Sequence, residues 1–179
     1  MRGSMMARLI LLGGVCLFTM GSQYRCSSGD GTLDVGDDDE TFSTTLILRD
    51  IDGASSTRFR LGDPIRFDLT IVNNTSIAQE IDLPTGQIYD FVVLNPGTQT
   101  TRWRWATDRS FTQAFITVEF APNQSRSYSF VWSGVLDNAT LIMPGNYEAR
   151  GMLAFSRYSA DWRAPDEFSS PLKAFTVVN

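Results

Sequence analysis

Histidine is absent from all 179 residues of this chain, and that absence excludes more chemistry than any residue present suggests. Without an imidazole there is no Ser-His-Asp or Cys-His relay, no ordinary catalytic zinc site, and no side chain that titrates naturally near neutrality. Lysine is nearly missing too: Lys173 is the only one, and no Gly-rich phosphate loop accompanies it. The two cysteines, Cys16 and Cys26, do not make a disulfide framework. No convincing amphipathic helix is found, and the one continuous apolar run, residues 9–20, falls short of the roughly 20 residues that a membrane-spanning helix needs. Neither an enzyme nor a cofactor or metal is expected from this inventory.

Charge is unevenly spread. Six of the twenty acidic residues (Asp30, Asp34, Asp37, Asp38, Asp39, Glu40) precede Thr41, and the fourteen that follow are set against twelve basic ones. That near-neutral remainder lacks the clustered cationic charge that displaces counterions from nucleic acid, so no nucleic-acid partner is expected. Met5-Met6-Ala7-Arg8 followed by the apolar residues 9–20 reads as an export signal ending at Gly21 or Ser22. Cys26, heading the polar tether Ser27-Ser28-Gly29-Asp30-Gly31, is a candidate lipidation site. Arg25 stands where such sites favour a small residue, so soluble export and an uncleaved anchor stay open beside it. Membrane contact is expected only through that signal or lipid. Asp37-Asp38-Asp39-Glu40 lacks the alternating ligands of a calcium loop and reads as a solvated run. The expected organisation is a signal at 1–22, an acidic Gly/Ser/Asp linker at 23–40 and one exported domain at 41–179, in the cell envelope or outside the cell.

Beyond Thr41 a period of two takes over. Ile65, Phe67, Leu69 and Ile71 alternate with Arg66, Asp68, Thr70 and Val72, between the turn residues Gly62-Asp63-Pro64 and Asn73-Asn74-Thr75. Similar runs occupy 42–48, 78–83, 89–94, 101–106, 114–120, 125–132, 147–155 and 174–178. Short strands separated by regular turn signals predict an all-β antiparallel sandwich of about 7–9 strands. Pro84-Thr85-Gly86, Asn95-Pro96-Gly97 and Pro144-Gly145 each place a residue that presets φ beside one that accepts positive φ, which predicts tight β-turns. The strand after the last turn would face inward with Tyr147, Ala149, Gly151, Leu153 and Phe155, and Tyr147 suits a sandwich corner anchored through its hydroxyl.

Carboxylates are the chemistry that remains. Glu80 and Asp82 share a strand face, an arrangement that glycoside hydrolysis could use but that ordinarily marks a solvated surface. Asp90 points opposite to Tyr89 and Phe91 and is expected to accept hydrogen bonds from backbone or from Arg102 or Arg104. In Arg102-Trp103-Arg104-Trp105 both indoles lie on one face; packed inward they are core, turned outward they are a hot spot, and core is the reading adopted. Glycosylation-type triplets begin at Asn73, Asn74, Asn123 and Asn138, and they are expected to mark surface turns.

Five motifs follow one another in order: the Asn-rich turn at Asn73, Gly86-Gln87-Ile88-Tyr89-Asp90-Phe91, Trp103-Arg104-Trp105, Phe111-Thr112-Gln113, and Pro144-Gly145-Asn146-Tyr147. In this order they resemble the intracellular proteinase inhibitor (BsuPI) domain, over about residues 61–155. The resemblance implies an immunoglobulin-like sandwich and a protein partner, by the family's name a serine proteinase. A non-inhibitory module for adhesion or assembly at the cell envelope is the other function open to such a domain. Inhibition would proceed by occlusion through a rigid loop or edge strand, for which residues 94–101 and 135–145 are the long, turn-defined candidates. Asn95, Pro96, Gly97, Arg102 and Arg104 are the candidate contact residues.

Overall fold

The computed structural model describes residues 40–154 and 168–179. The expected signal at 1–22, Cys26, the linker up to Asp39, and Phe155 lie outside the described residues.

The described residues form ten strands: β1 Phe42–Arg49, β2 Arg58–Arg60, β3 Ile65–Asn73, β4 Gln79–Leu83, β5 Tyr89–Leu94, β6 Thr101–Arg104, β7 Ile116–Phe120, β8 Ser125–Trp132, β9 Gly145–Leu153 and β10 Lys173–Val178. Each of the nine predicted runs contains a strand, although β6 ends at Arg104 rather than Ala106 and β7 begins at Ile116 rather than Ala114. The tenth, β2, is only three residues with a single inward side chain, Phe59, too short to show a period.

Two sheets carry the sandwich, ordered β1-β3-β8 and β2-β10-β9-β5-β6, and β4 pairs with β7 in a separate two-stranded ribbon. All pairings are antiparallel except β2 with β10. The alternation of β3 sets the register: Ile65, Phe67, Leu69 and Ile71 are buried, and each sits opposite an inward residue of β8, from Trp132 to Arg126. Phe67 joins the layers, its ring 5.5 Å from Phe91 of β5, 5.8 Å from Trp103 of β6 and 6.1 Å from Trp132 of β8. Such offset and edge contacts add to simple area burial by about 0.5–1.5 kcal/mol each.

The inward positions of β9 hold at Tyr147, Ala149 and Leu153, but Arg150 and Met152 on its other face are buried as well. The cause is the chain before β10. The Ser170 amide donates to the Gly151 carbonyl at 2.9 Å, and Val92, Leu94 and Met152 pack with Leu172 on the outer face.

Two turn expectations need correction. Gly97 has φ of 75°, as a tight turn requires, whereas neither Gly86 nor Gly145 has positive φ. Gly86 is set instead by close approach, because a Cβ there would overlap the Thr112 hydroxyl. Asn73 also departs from the surface reading. It is fully buried, its amide nitrogen donating to the carbonyls of Ile77, Phe120 and Ala121 and its oxygen accepting from the Thr75 amide and hydroxyl.

The register places four connections at one end of the sandwich. They are the turns β1–β2, β2–β3 and β5–β6 and the segment between β8 and β9, since Arg49 faces Arg66, Ile65 faces Trp132, Leu94 faces Glu148 and Val177 faces Gly145. Phe42 begins β1 at the opposite end, beside Asn73.

Candidate functional site

The segment between β8 and β9 is tied down from several sides. Trp132 Nε1 donates to the Val135 carbonyl at 2.8 Å as the chain leaves β8. Val135 and Leu141 then face each other in a single antiparallel bridge, flanked by Leu136 N to Thr140 O at 2.8 Å and Ile142 N to Gly134 O at 2.7 Å. Asn138 closes the tip by accepting from the Thr140 amide and hydroxyl. The Tyr147 hydroxyl, at the start of β9, donates to the Met143 carbonyl at 2.9 Å and completes the sandwich corner.

This bracing turns side chains in opposite directions. Ile142 is 2% exposed and plugs the core, while Leu141 and Met143 on either side are 52% and 66% exposed. Val135, Val131 at the end of β8, and Ile51 in the β1–β2 turn are exposed at the same end. Ile51 and Val131 line one depression of about 120 Å³, and Val131 and Val135 line a larger groove of about 320 Å³. Ile51, Val131 and Val135, with Leu141 bridged to Val135, thus form an apolar strip drawn from segments far apart in sequence, and Met143 follows two residues beyond Leu141.

Both indoles of the Trp-Arg-Trp run border that larger groove. Trp103 is buried and stacked on Trp132 at 5.1 Å and Phe130 at 5.8 Å, so it belongs to the core. Trp105 is half-buried at the rim, packed on Tyr89 at 4.6 Å on one side and carrying the Arg109 guanidinium 4.5 Å from its ring centroid. Arg109 in turn donates through Nε to the Trp105 carbonyl at 2.8 Å.

The candidate contact residues fall in two places. Asn95, Pro96 and Gly97 form the β5–β6 turn, held by Asn95 N to Thr100 O and Gln99 N to Asn95 O, both 2.9 Å. Arg104 lies on the outer face of the sheet, where its Nε donates to Asp90 Oδ2 at 2.6 Å. Asp90 is 1% exposed and also accepts from the amides of Phe91 at 2.9 Å and Ala106 at 3.2 Å. Burial pushes its carboxyl above the usual value, and Arg104 and the two amides pull it back only in part. Arg104 is therefore engaged within the domain. Arg102 is half-buried, and its carbonyl accepts from the Asp137 amide at 3.2 Å while Asp137 Oδ1 accepts from the Arg104 amide at 3.2 Å, which fastens β6 to the β8–β9 segment.

Glu80 and Asp82 are exposed on β4, with Glu80 opposite Glu119 and Asp82 accepting from the Thr117 hydroxyl at 2.7 Å. No group of three or more His, Cys, Asp or Glu among the described residues is arranged to hold a metal ion. The apolar strip is what reading the sequence missed, apart from the 135–145 loop itself. Its one local signal is Leu141 and Met143 flanking Ile142 directly before Pro144.

Comparison with protein families matches residues 54–158 to BsuPI, described as intracellular proteinase inhibitor. The chain belongs to the BsuPI family. No curated protein matches it. Among solved structures, this BsuPI domain is similar to a CARDB domain from Pyrococcus furiosus, with 13% identity and a TM-score of 0.40 over 78% of this chain and 97% of that one. It is also similar to part of a β-glucosidase from Listeria innocua, with 12% identity and a TM-score of 0.38 over 76% of this chain. A third likeness is to the alkylpurine DNA glycosylase AlkC from Pseudomonas fluorescens, with 8% identity and a TM-score of 0.44 over 78% of this chain and 31% of that one. The chain spans only 16% of the β-glucosidase's length, and none of these likenesses bears on activity.

Proposed function

We propose that this chain is an exported, non-enzymatic binding protein that inhibits a serine proteinase by occluding its substrate cleft. The observation that carries the reading is the BsuPI match over residues 54–158, which contains the braced segment between β8 and β9 with its exposed Leu141 and Met143. An occluding contact needs about 800 Å² from each partner and loops that are already ordered, because ordering them on binding would cost about 0.5–1.5 kcal/mol per immobilised side chain. The turns at that end satisfy the second requirement through their own backbone hydrogen bonds.

Export rests on residues 5–22 of the sequence, and Cys26 is the residue proposed to carry a lipid. Mass spectrometry of the mature N-terminus decides it: lipidated Cys26 or a free Gln23 supports export, and an intact Met1 with a cytosolic location contradicts it.

Inhibition is tested by adding the purified full chain to subtilisin, chymotrypsin and trypsin. Slowed hydrolysis at micromolar concentration is expected for at least one of them. No slowing of any would overturn the inhibitory reading.

A further inference from the structure

We infer that the segment Leu141-Ile142-Met143 is the strand that enters the proteinase cleft, and that the target is a proteinase with apolar rather than cationic specificity pockets. The inference rests on the inhibitory reading above and names the surface and the partner's chemistry.

The geometry begins with the bridge between Val135 and Leu141. The hydrogen bonds that flank it are made by their neighbours, Leu136 to Thr140 and Ile142 to Gly134, so the amide and carbonyl of Leu141 point away from Val135. Neither group has a hydrogen-bond partner among the described residues, and the Met143 amide has none either. The segment is therefore paired on one edge, while on the other the Leu141 amide and carbonyl and the Met143 amide are open and the Met143 carbonyl is taken by the Tyr147 hydroxyl. An extended peptide bound in a proteinase cleft is added as a strand to an edge of this kind, with main-chain hydrogen bonds giving affinity and alternate side chains filling pockets.

Alternation supplies the pockets' contents. Leu141 and Met143 are two residues apart and both exposed, while Ile142 between them is buried and holds the backbone to the core. The Tyr147 hydroxyl on the Met143 carbonyl fixes the far end of the same strand. Residues 138–147 contain no Lys or Arg. A trypsin-like pocket, built around a buried carboxylate, would be left unpaired against this segment, which costs heavily, whereas an apolar pocket takes Leu or Met directly. The other turn at this end is less suited: Pro96 and Gly97 offer no large apolar side chain, and the Pro96 carbonyl is already accepting from Thr98.

The test uses the full chain against subtilisin, chymotrypsin and trypsin, with Leu141→Glu, Met143→Glu, the milder Met143→Ala, and Asn95→Ala as the control in the other turn. Slowing of subtilisin or chymotrypsin but not trypsin is expected, weakened at least ten-fold by either Glu variant, about three-fold by Met143→Ala, and less than two-fold by Asn95→Ala. Thermal midpoints of the variants are measured alongside, and Met143→Ala keeps the test open where a Glu variant does not fold. Wild-type inhibition that survives all three substitutions overturns the assignment of this segment while leaving inhibition intact. Inhibition of trypsin as strong as of the other two overturns the apolar specificity. Failure of the wild type against all three overturns the inhibitory reading and this one with it.

Discussion

The hydroxyl of Tyr147 donates to the carbonyl of Met143, four residues upstream and 2.9 Å away. Tyr147 is buried, with its ring 5.7 Å from Phe175, and Met143 is among the most exposed hydrophobic residues described. One hydrogen bond thus connects the sandwich core to the surface proposed to meet a partner. Tyr147→Phe keeps the packing and removes the bond, so a stability loss of about 1 kcal/mol is expected in urea titrations. Proteinase inhibition should weaken with it, because the strand carrying Met143 loses a fixed point. Met143→Ala should leave the urea midpoint unchanged.

Asn73 joins the turn after β3 to the end of β7 through a saturated buried amide. Asn73→Ala leaves the Thr75 amide without its acceptor, while the carbonyls of Ile77 and Ala121 keep bonds from the Thr75 hydroxyl and the Gln124 amide, and a destabilisation of roughly 1–3 kcal/mol is expected by denaturant melting. Asn73→Asp should be no better, since a carboxylate cannot donate to the carbonyls of Ile77, Phe120 and Ala121. A loss under about 1 kcal/mol for Asn73→Ala would contradict the account of this turn.

Two carboxylates should give the stability curve opposing slopes in acid. Burial tends to raise the Asp68 carboxyl, but bonds from Ser129 at 2.6 Å, Arg66 at 2.7 Å and Arg49 at 2.8 Å outweigh it and hold it below the ordinary 3.8. A lowered folded pKa gives stability that is present above 3.8 and lost as pH falls through the folded value. For Asp90, whose carboxyl is raised, the folded state binds the proton more readily, so its contribution grows as pH falls through that raised value. Urea midpoints at pH 7 and pH 3 test this: Asp68→Asn should shrink the difference between them, and Asp90→Asn should enlarge it.

Removing the acid from the Asp90–Arg104 pair leaves a cation on the sheet's outer face. Complete burial would make this cost about 3–5 kcal/mol, but the Arg104 side chain is 29% exposed and can turn toward water. Asp90→Ala is therefore expected to cost about 2 kcal/mol at pH 7, and Arg104→Met to raise the Asp90 carboxyl further. Carboxyl chemical shifts followed through a pH titration by NMR would report the latter.

How much was legible in the sequence depended on how local the signal was. The β3 alternation, Tyr147 as a corner anchor and Asp90 bound by an arginine and backbone all follow from residues within a strand or its immediate neighbour. Three-residue β2 is too short to show a period, and the second buried face of β9 depends on Leu172, distant in sequence. Gly86 looked like a turn glycine, yet its constraint is the Thr112 side chain, which only tertiary structure brings near. The apolar strip was hidden for the same reason: Ile51, Val131 and Leu141 are unremarkable singly and meet only because β1, β8 and the β8–β9 segment end together.

The central claim concerns one surface, so the most direct measurement is amide hydrogen exchange of the full chain mixed with a subtilisin whose catalytic serine is replaced by alanine. Such an enzyme binds an inhibiting strand without cutting it. The account predicts new protection at Leu141 and Met143 and unchanged exchange at Asn95 and Gly97. Protection confined to the β5–β6 turn, or none at the Leu141–Met143 strand under saturating conditions, would contradict it.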